Sequence, residues 1–200
     1  MRYVNVLKED VMNFEPTSIP DVFIVELRSI GDDRGHFMET YKRREFERAT
    51  GVDPEFVQDN FSFSKQKGTV RGLHFQSPPH AQGKLVDCPR GAFLDVAVDV
   101  RVGSPTYKQW VSVELSKKNN RQLWVPAGFL HGFRTLTENT EIAYKCTEYY
   151  HPASDGSVLW NDEDLAIDWG SNLEEAFLSD KDKNAQSFKD FDNPFVYKTR

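Results

Sequence analysis

The chain has 200 residues, of which 38% are hydrophobic, 13% aromatic and 28% charged, with 12 Gly and 10 Pro against 3 Met. That length and apolar share supply one sizeable core, so a single domain is expected, and the aromatic, turn-rich composition excludes a coiled coil or a helical repeat. The net charge of −6 argues against sequence-independent binding to nucleic acid, which needs many cations, and leaves a small anionic ligand open.

Residues 22–28 are β-branched and aromatic and close at Gly31, so they predict a strand and turn, with a second strand over 36–41. Phe46 and Ala49 at helical spacing, followed by Gly51, predict a helix over 42–50. The period then changes to two. Gln58, Asn60, Ser62 and Ser64 fall on one face of a strand and Val57, Phe61 and Phe63 on the other. Further strands are expected over 69–76, 84–88, 92–101, 110–115, 122–125, 133–136 and 141–150. Eight or more short strands separated by turn signals predict an all-β jelly roll, a double antiparallel sheet with a few short helices.

No repeat, low-complexity tract or linker divides the chain, so residues 1–200 are expected to form one domain. Residues 1–150 hold 20 basic and 20 acidic side chains and residues 151–200 hold 5 and 11, so the negative charge lies in the last quarter. That acidic arm carries aromatics around Trp160 and Trp169 and is expected to pack on the barrel. Cys88 and Cys146 sit in apolar stretches, which predicts buried thiols in a reducing cytoplasm rather than a disulfide. No run approaches 18 apolar residues, and Met1–Asp10 lacks a contiguous apolar segment, so neither a membrane span nor a secretion signal is expected.

Three places carry polar groups where a strand or connection would not require them. Alternation sets His74 opposite Leu73 and Phe75, on a face with Val70, Gly72 and Gln76; taken alone it fits a hydrogen-bonded core histidine and a ligand group equally well. Ile142, Tyr144, Cys146, Glu148 and Tyr150 share one face, where tyrosine also serves as ordinary filling. Pro126 to Phe133 contains two glycines and predicts a tight connection that holds His131, whose bland role is a bond to backbone. The five histidines include no His-x-His pair, so a bound metal is not expected. There is no nucleophile elbow, phosphate-cradling loop or dinucleotide fingerprint, so any reaction runs on side chains without a cofactor. Arg71 and Lys84 lie inside strands, where a cation calls for a carboxylate or an anionic ligand.

Together these strings resemble the dTDP-4-dehydrorhamnose 3,5-epimerase family of cupin-fold sugar-nucleotide epimerases. The resemblance rests on Asp33-Arg-Gly-His-Phe37, Gln58-Asp-Asn60, Val70-Arg-Gly-Leu-His-Phe-Gln76, Lys84-Leu-Val86 and Asp95-Val-Ala-Val-Asp-Val-Arg101. It continues through Ser104-Pro-Thr106, Pro126 to Phe133, Trp160-Asn-Asp162 and Ser179-Asp-Lys-Asp182, in the family's order.

The resemblance implies a nucleotide sugar with a C4 ketone that acidifies its C3 and C5 hydrogens. It implies that His74 is the general base and Asp182 holds its tautomer, that Lys84 faces the enolate oxygen, and that Tyr144 returns a proton from the opposite side. Tyr150 would stack on the thymine, and Arg34, Arg71 and Lys181 would lie near the diphosphate or nucleotide. Glu39, Gln58, Asp59, Asn60 and His131 would be further binding groups, with Asp155 standing where the family has a glutamate. The implied assembly is a homodimer in which an amino-terminal segment carrying Arg34 and Glu39 reaches the partner's pocket. Simple alternation places Arg71 away from His74, so its implied role requires a bulge near Gly72 or a ligand that approaches from a second side. The arm would fold back to deliver Asp182, and deletion from Ser179 onward is expected to harm activity more than fold. Epimerisation at one centre only, a binding module without turnover and a metal-dependent cupin enzyme are the competing readings.

Overall fold

Alternating side chains build two antiparallel sheets. One contains, in spatial order, β1 (Met12–Pro16), β2 (Phe23–Leu27), β10 (Arg121–Val125), β7 (Lys84–Arg90), β12 (Thr140–Cys146) and β5 (Gln58–Ser64). The other contains β13 (Asp155–Ser157), β6 (Val70–Gln76), β11 (Phe129–Thr135), β8 (Ala92–Asp99) and β9 (Trp110–Ser116). A separate hairpin joins β3 (Ile30–Asp32) to β4 (Gly35–Phe37), and the helix α1 (Arg43–Thr50) follows it. The structure, a computed structural model, describes residues 12–171 and 176–198, so Met1–Asp10 lies outside them. The all-antiparallel pairing and non-sequential strand order make a jelly-roll barrel.

Apolar side chains pack between the two sheets and against the outer side of each. Between the sheets lie Val86, Phe93, Leu115, Leu123 and Ile142. On the outside of the six-stranded sheet, Phe46 of α1 meets Trp124 and Leu85. Gly51 ends this helix in the left-handed region at φ 69°, its N–H donating to the Glu47 carbonyl. On the outside of the five-stranded sheet, Leu73, Val96 and Val98 are covered by Trp160, Trp169, Phe188, Phe191 and Phe195 of the carboxy-terminal arm. Each such side chain stabilises the fold by roughly 1.5–3 kcal/mol, so the arm is held by hydrophobic burial as well as by charge.

Three elements differ from the sequence reading, and a fourth takes a direction the sequence left open. The strand expected over 36–41 is instead the short β4, paired within its own hairpin. β11 starts at Phe129, four residues before the expected 133, because the turn ends at Gly128 with φ 92° and Gly132 is accommodated inside the strand. His131 is therefore a mid-strand residue and not a turn histidine. β12 stops at Cys146, so Tyr150 does not continue the face of Tyr144 but lies in the loop beyond it. β5 turns its polar row inward and leaves Phe61 and Phe63 exposed on the outside.

Candidate active site

Strands β6 and β11 bring two histidines opposite each other. His74 pairs with His131, while Arg71 pairs with Phe133, so β6 uses one residue more than β11 between these pairs. The bulge falls at Gly72 and Leu73. Gly72 has φ 121°, and a Cβ there would lie 2.6 Å from the Gly132 Cα, so glycine is required. The bulge resets the alternation: Val70 and Leu73 both pack outward beneath the arm, and Arg71 turns with His74 towards the lumen, beside Tyr144. His74 accordingly does not share a face with Val70.

Nε2 of His74 lies 2.6 Å from Oδ1 of Asp182. Asp182 is 3% exposed and belongs to α2 (Asp180–Lys183), a single turn of the arm capped by Ser179. The Ser179 hydroxyl donates to Asp182 Oδ2 at 2.7 Å and accepts from the Asp182 N–H at 3.2 Å. An ionised carboxylate only accepts, so Nε2 carries the proton and Nδ1 keeps the lone pair. Burial alone would raise the Asp182 carboxyl; hydrogen bonds from His74 and Ser179 outweigh it and hold the pKa below the ordinary value.

The opposite sheet supplies Lys84 from β7 and Tyr144 from β12. Cys146 is the register partner of Lys84, and Tyr144, two residues earlier, packs against the lumen core. Burial lowers the Lys84 pKa, with Cys146, Asp95 and Asp155 pulling it back. Burial also raises the Tyr144 phenol, with Arg71 opposing. Asp95, Asp155 and Arg71 all belong to the five-stranded sheet, so the two sheets face one another through these groups. Among the described residues neither the Lys84 ammonium nor the Tyr144 hydroxyl has a hydrogen-bond partner.

His131 is buried, with Nε2 2.8 Å from Asp95 Oδ1. Asp95 went unassigned in the sequence, although its position between Phe93 and Ala97 on an inward row was a readable signal. Ser179 was likewise legible only as part of a string. At the mouth, Lys181 Nζ lies 2.5 Å from Asp155 Oδ2, and the Tyr150 hydroxyl approaches the same oxygen at 3.4 Å. Gln58 and Asn60 join this side, bonded to each other at 3.0 Å.

Three expected residues do not join the cluster. Arg34 is exposed on the β3–β4 hairpin and paired with Asp32, Glu39 pairs with Lys42, and Asp59 points outward from β5 to Lys145. A cavity of about 370 Å³ between Thr40, Asp59, Phe61, Leu85 and Lys145 opens on the outer side of the six-stranded sheet, and none of His74, Lys84 and Asp182 lines it. Tyr144 and Asn60 also contribute to its lining, from the strands that separate it from His74 and Asp182. Among the described residues no three His, Cys, Asp or Glu side chains converge as a metal site would need. No described helix is long and apolar enough to cross a membrane.

The arrangement is thus a carboxylate-oriented base on one sheet and a cation with a phenol on the other, a set suited to moving protons next to a carbonyl. Residues 16–190 match the family described as dTDP-4-dehydrorhamnose 3,5-epimerase. The chain belongs to this epimerase family. It is 55% identical over 170 residues to the dTDP-4-dehydrorhamnose 3,5-epimerase of Salmonella typhimurium, covering 84% of this chain and 91% of that protein. A crystal structure of the Legionella pneumophila dTDP-6-deoxy-D-glucose-3,5-epimerase in complex with dTDP-4-keto-L-rhamnose superposes with TM-score 0.89 at 47% identity, covering 94% of this chain and all of the other. A 3'-monoepimerase from Streptomyces bikiniensis, in complex with dTDP-quinovose, shares the fold at TM-score 0.80 and 37% identity over 86% of each chain.

Proposed function

We propose that this chain epimerises C3 and C5 of dTDP-4-dehydro-6-deoxy-D-glucose, giving dTDP-4-dehydro-L-rhamnose. The 2.6 Å contact between His74 Nε2 and the buried Asp182 carries the reading, since it leaves Nδ1 as a fixed base. His74 takes the proton from the carbon next to the ketone. The C–H electron pair moves into the C4 carbonyl, and the enolate oxygen rests against Lys84, a contribution of about 3–4 kcal/mol for one such donor in a dry site. As the enolate collapses, the carbon takes a proton from Tyr144 on the opposite face, and solvent returns the His74 proton to the phenolate. The same exchange at the second carbon completes the reaction.

Arg71, Lys181 and His131 hold the diphosphate or sugar in this scheme, with Gln58, Asn60 and Asp155 as neighbouring polar groups and Tyr150 stacked on the thymine. The whole chain works as one cupin-like unit in the cytoplasm, its acidic arm closing the barrel, with no cofactor or metal. It acts as a homodimer in which the β3–β4 hairpin brings Arg34 and Glu39 to the partner's pocket. Support comes from the exposed apolar side chains Ile30, Phe37, Phe61 and Phe63. Asp59 enters this scheme only from the outer face.

Incubation with the 4-keto substrate in heavy water, read by mass spectrometry and NMR, tests the proposal. Deuterium is expected at both C3 and C5, and its absence from both refutes epimerisation. A second reading, epimerisation at one carbon, is favoured by the likeness to the Streptomyces bikiniensis monoepimerase, and deuterium at a single position would establish it.

A further inference from the structure

Two residues beyond His74, β6 carries a buried glutamine that the proton chemistry does not use. Gln76 Nε2 donates to the His80 carbonyl at 2.7 Å and to the Tyr149 carbonyl at 3.2 Å, and its Oε1 accepts from the His151 N–H at 2.8 Å. Tyr149 and His151 flank Tyr150. The amide therefore brackets Tyr150 with one donor and one acceptor, as a neighbouring strand would. Tyr150's own N–H donates to Gln58 Oε1 at 2.8 Å. The chain has already left β12 here, so two side-chain amides do the work of a sheet ladder for three consecutive backbone groups. The His80 and His151 rings, whose backbones Gln76 joins, stack at 3.9 Å. Tyr150 itself remains 56% exposed.

We infer that Gln76 is a positioning residue that presets the Tyr150 ring as the platform for the nucleobase and ties that platform to the strand carrying His74. An aromatic ring on a free loop would have to be ordered each time a base stacked on it; a ring bracketed in advance avoids that loss. The inference rests on Tyr150 as the stacking group. Gln76 touches neither the base nor the reacting carbons, so its effect belongs to binding.

Calorimetric titration with dTDP, together with steady-state kinetics, tests this on the wild type, Gln76→Met, Gln76→Glu, Tyr150→Ala and the double variant Gln76→Met/Tyr150→Ala. Gln76→Met is expected to weaken dTDP about tenfold and to raise KM similarly, with a much smaller change in kcat. Gln76→Glu, which keeps an acceptor for His151, should fall between it and wild type. In the double variant the Kd should be no weaker than in Tyr150→Ala alone, because Gln76 acts through that ring. An unchanged Kd in folded Gln76→Met, or additive losses in the double variant, overturns the inference while leaving Tyr150 as the platform. A Tyr150→Ala protein that binds dTDP normally overturns the stacking reading itself. If melting shows Gln76→Met to be unfolded, Gln76→Glu carries the same comparison.

Discussion

Lys84 and Tyr144 are displaced in opposite directions by one cause, the disfavouring of charge by burial. The phenol is therefore held as a proton donor, and the ammonium loses its proton at a lower pH than an exposed lysine would. The alkaline limb of kcat/KM is expected below the ordinary lysine value of about 10.4 and should move upward in Lys84→Arg. A limb that stays in place in that variant rules out Lys84 as its origin. His74→Ala should abolish deuterium uptake, whereas Tyr144→Phe should retain uptake at the carbon His74 reaches and impair completed inversion; equal activity in both variants refutes the paired roles. Much of this was legible in the residues, because a histidine and a lysine inside apolar strands demand an explanation. The direction of Arg71 was legible only as a condition, a bulge near Gly72, which the pairing of β6 with β11 supplies.

Among the elements, the carboxy-terminal arm both delivers Asp182 to His74 and covers the five-stranded sheet. Phe188, Phe191 and Phe195 are buried against the five-stranded sheet, so deletion from Ser179 onward would strip that sheet and harm fold as well as activity, where the sequence reading expected the loss mainly in activity. Asp182→Asn isolates the chemistry instead. The folded-state pKa of Asp182 is depressed, so its carboxylate stabilises the fold above the unfolded value of about 3.9 and that contribution is lost as pH falls through the depressed one. Urea unfolding should show Asp182→Asn weaker than wild type by about 2 kcal/mol near neutrality, as for a hydrogen-bonded charge, with the gap closing in acid. A gap that stays constant to low pH would show that the carboxylate's ionisation is not what docks α2. β11 and β12 were legible as strands but not in extent. Of the two glycines that read as turn signals, Gly132 sits inside β11, and the apparent alternation from 141 to 150 outlasts the ladder that supports it.

For the whole molecule, the arrangement of charge and apolar surface matters more than the net −6. The body is neutral and turns cations towards the lumen, while the acidic arm lends the site Asp182 and Lys181. The β3–β4 hairpin, by contrast, holds Arg34 in solvent with Ile30 and Phe37 exposed beside it. If the hairpin completes a second copy's pocket, Arg34 and His74 of one site come from different chains. Arg34→Ala and His74→Ala homodimers should then both be impaired. Subunits of the two variants, mixed and reassociated, form mixed dimers in half the population, and each has one complete site, because the His74 protomer receives an intact hairpin from its partner. Recovery of about a quarter of wild-type activity is the expected outcome at equal mixing, with light scattering confirming the dimer. If each hairpin served its own pocket, both sites of the mixed dimer would lack one group and mixing would restore nothing.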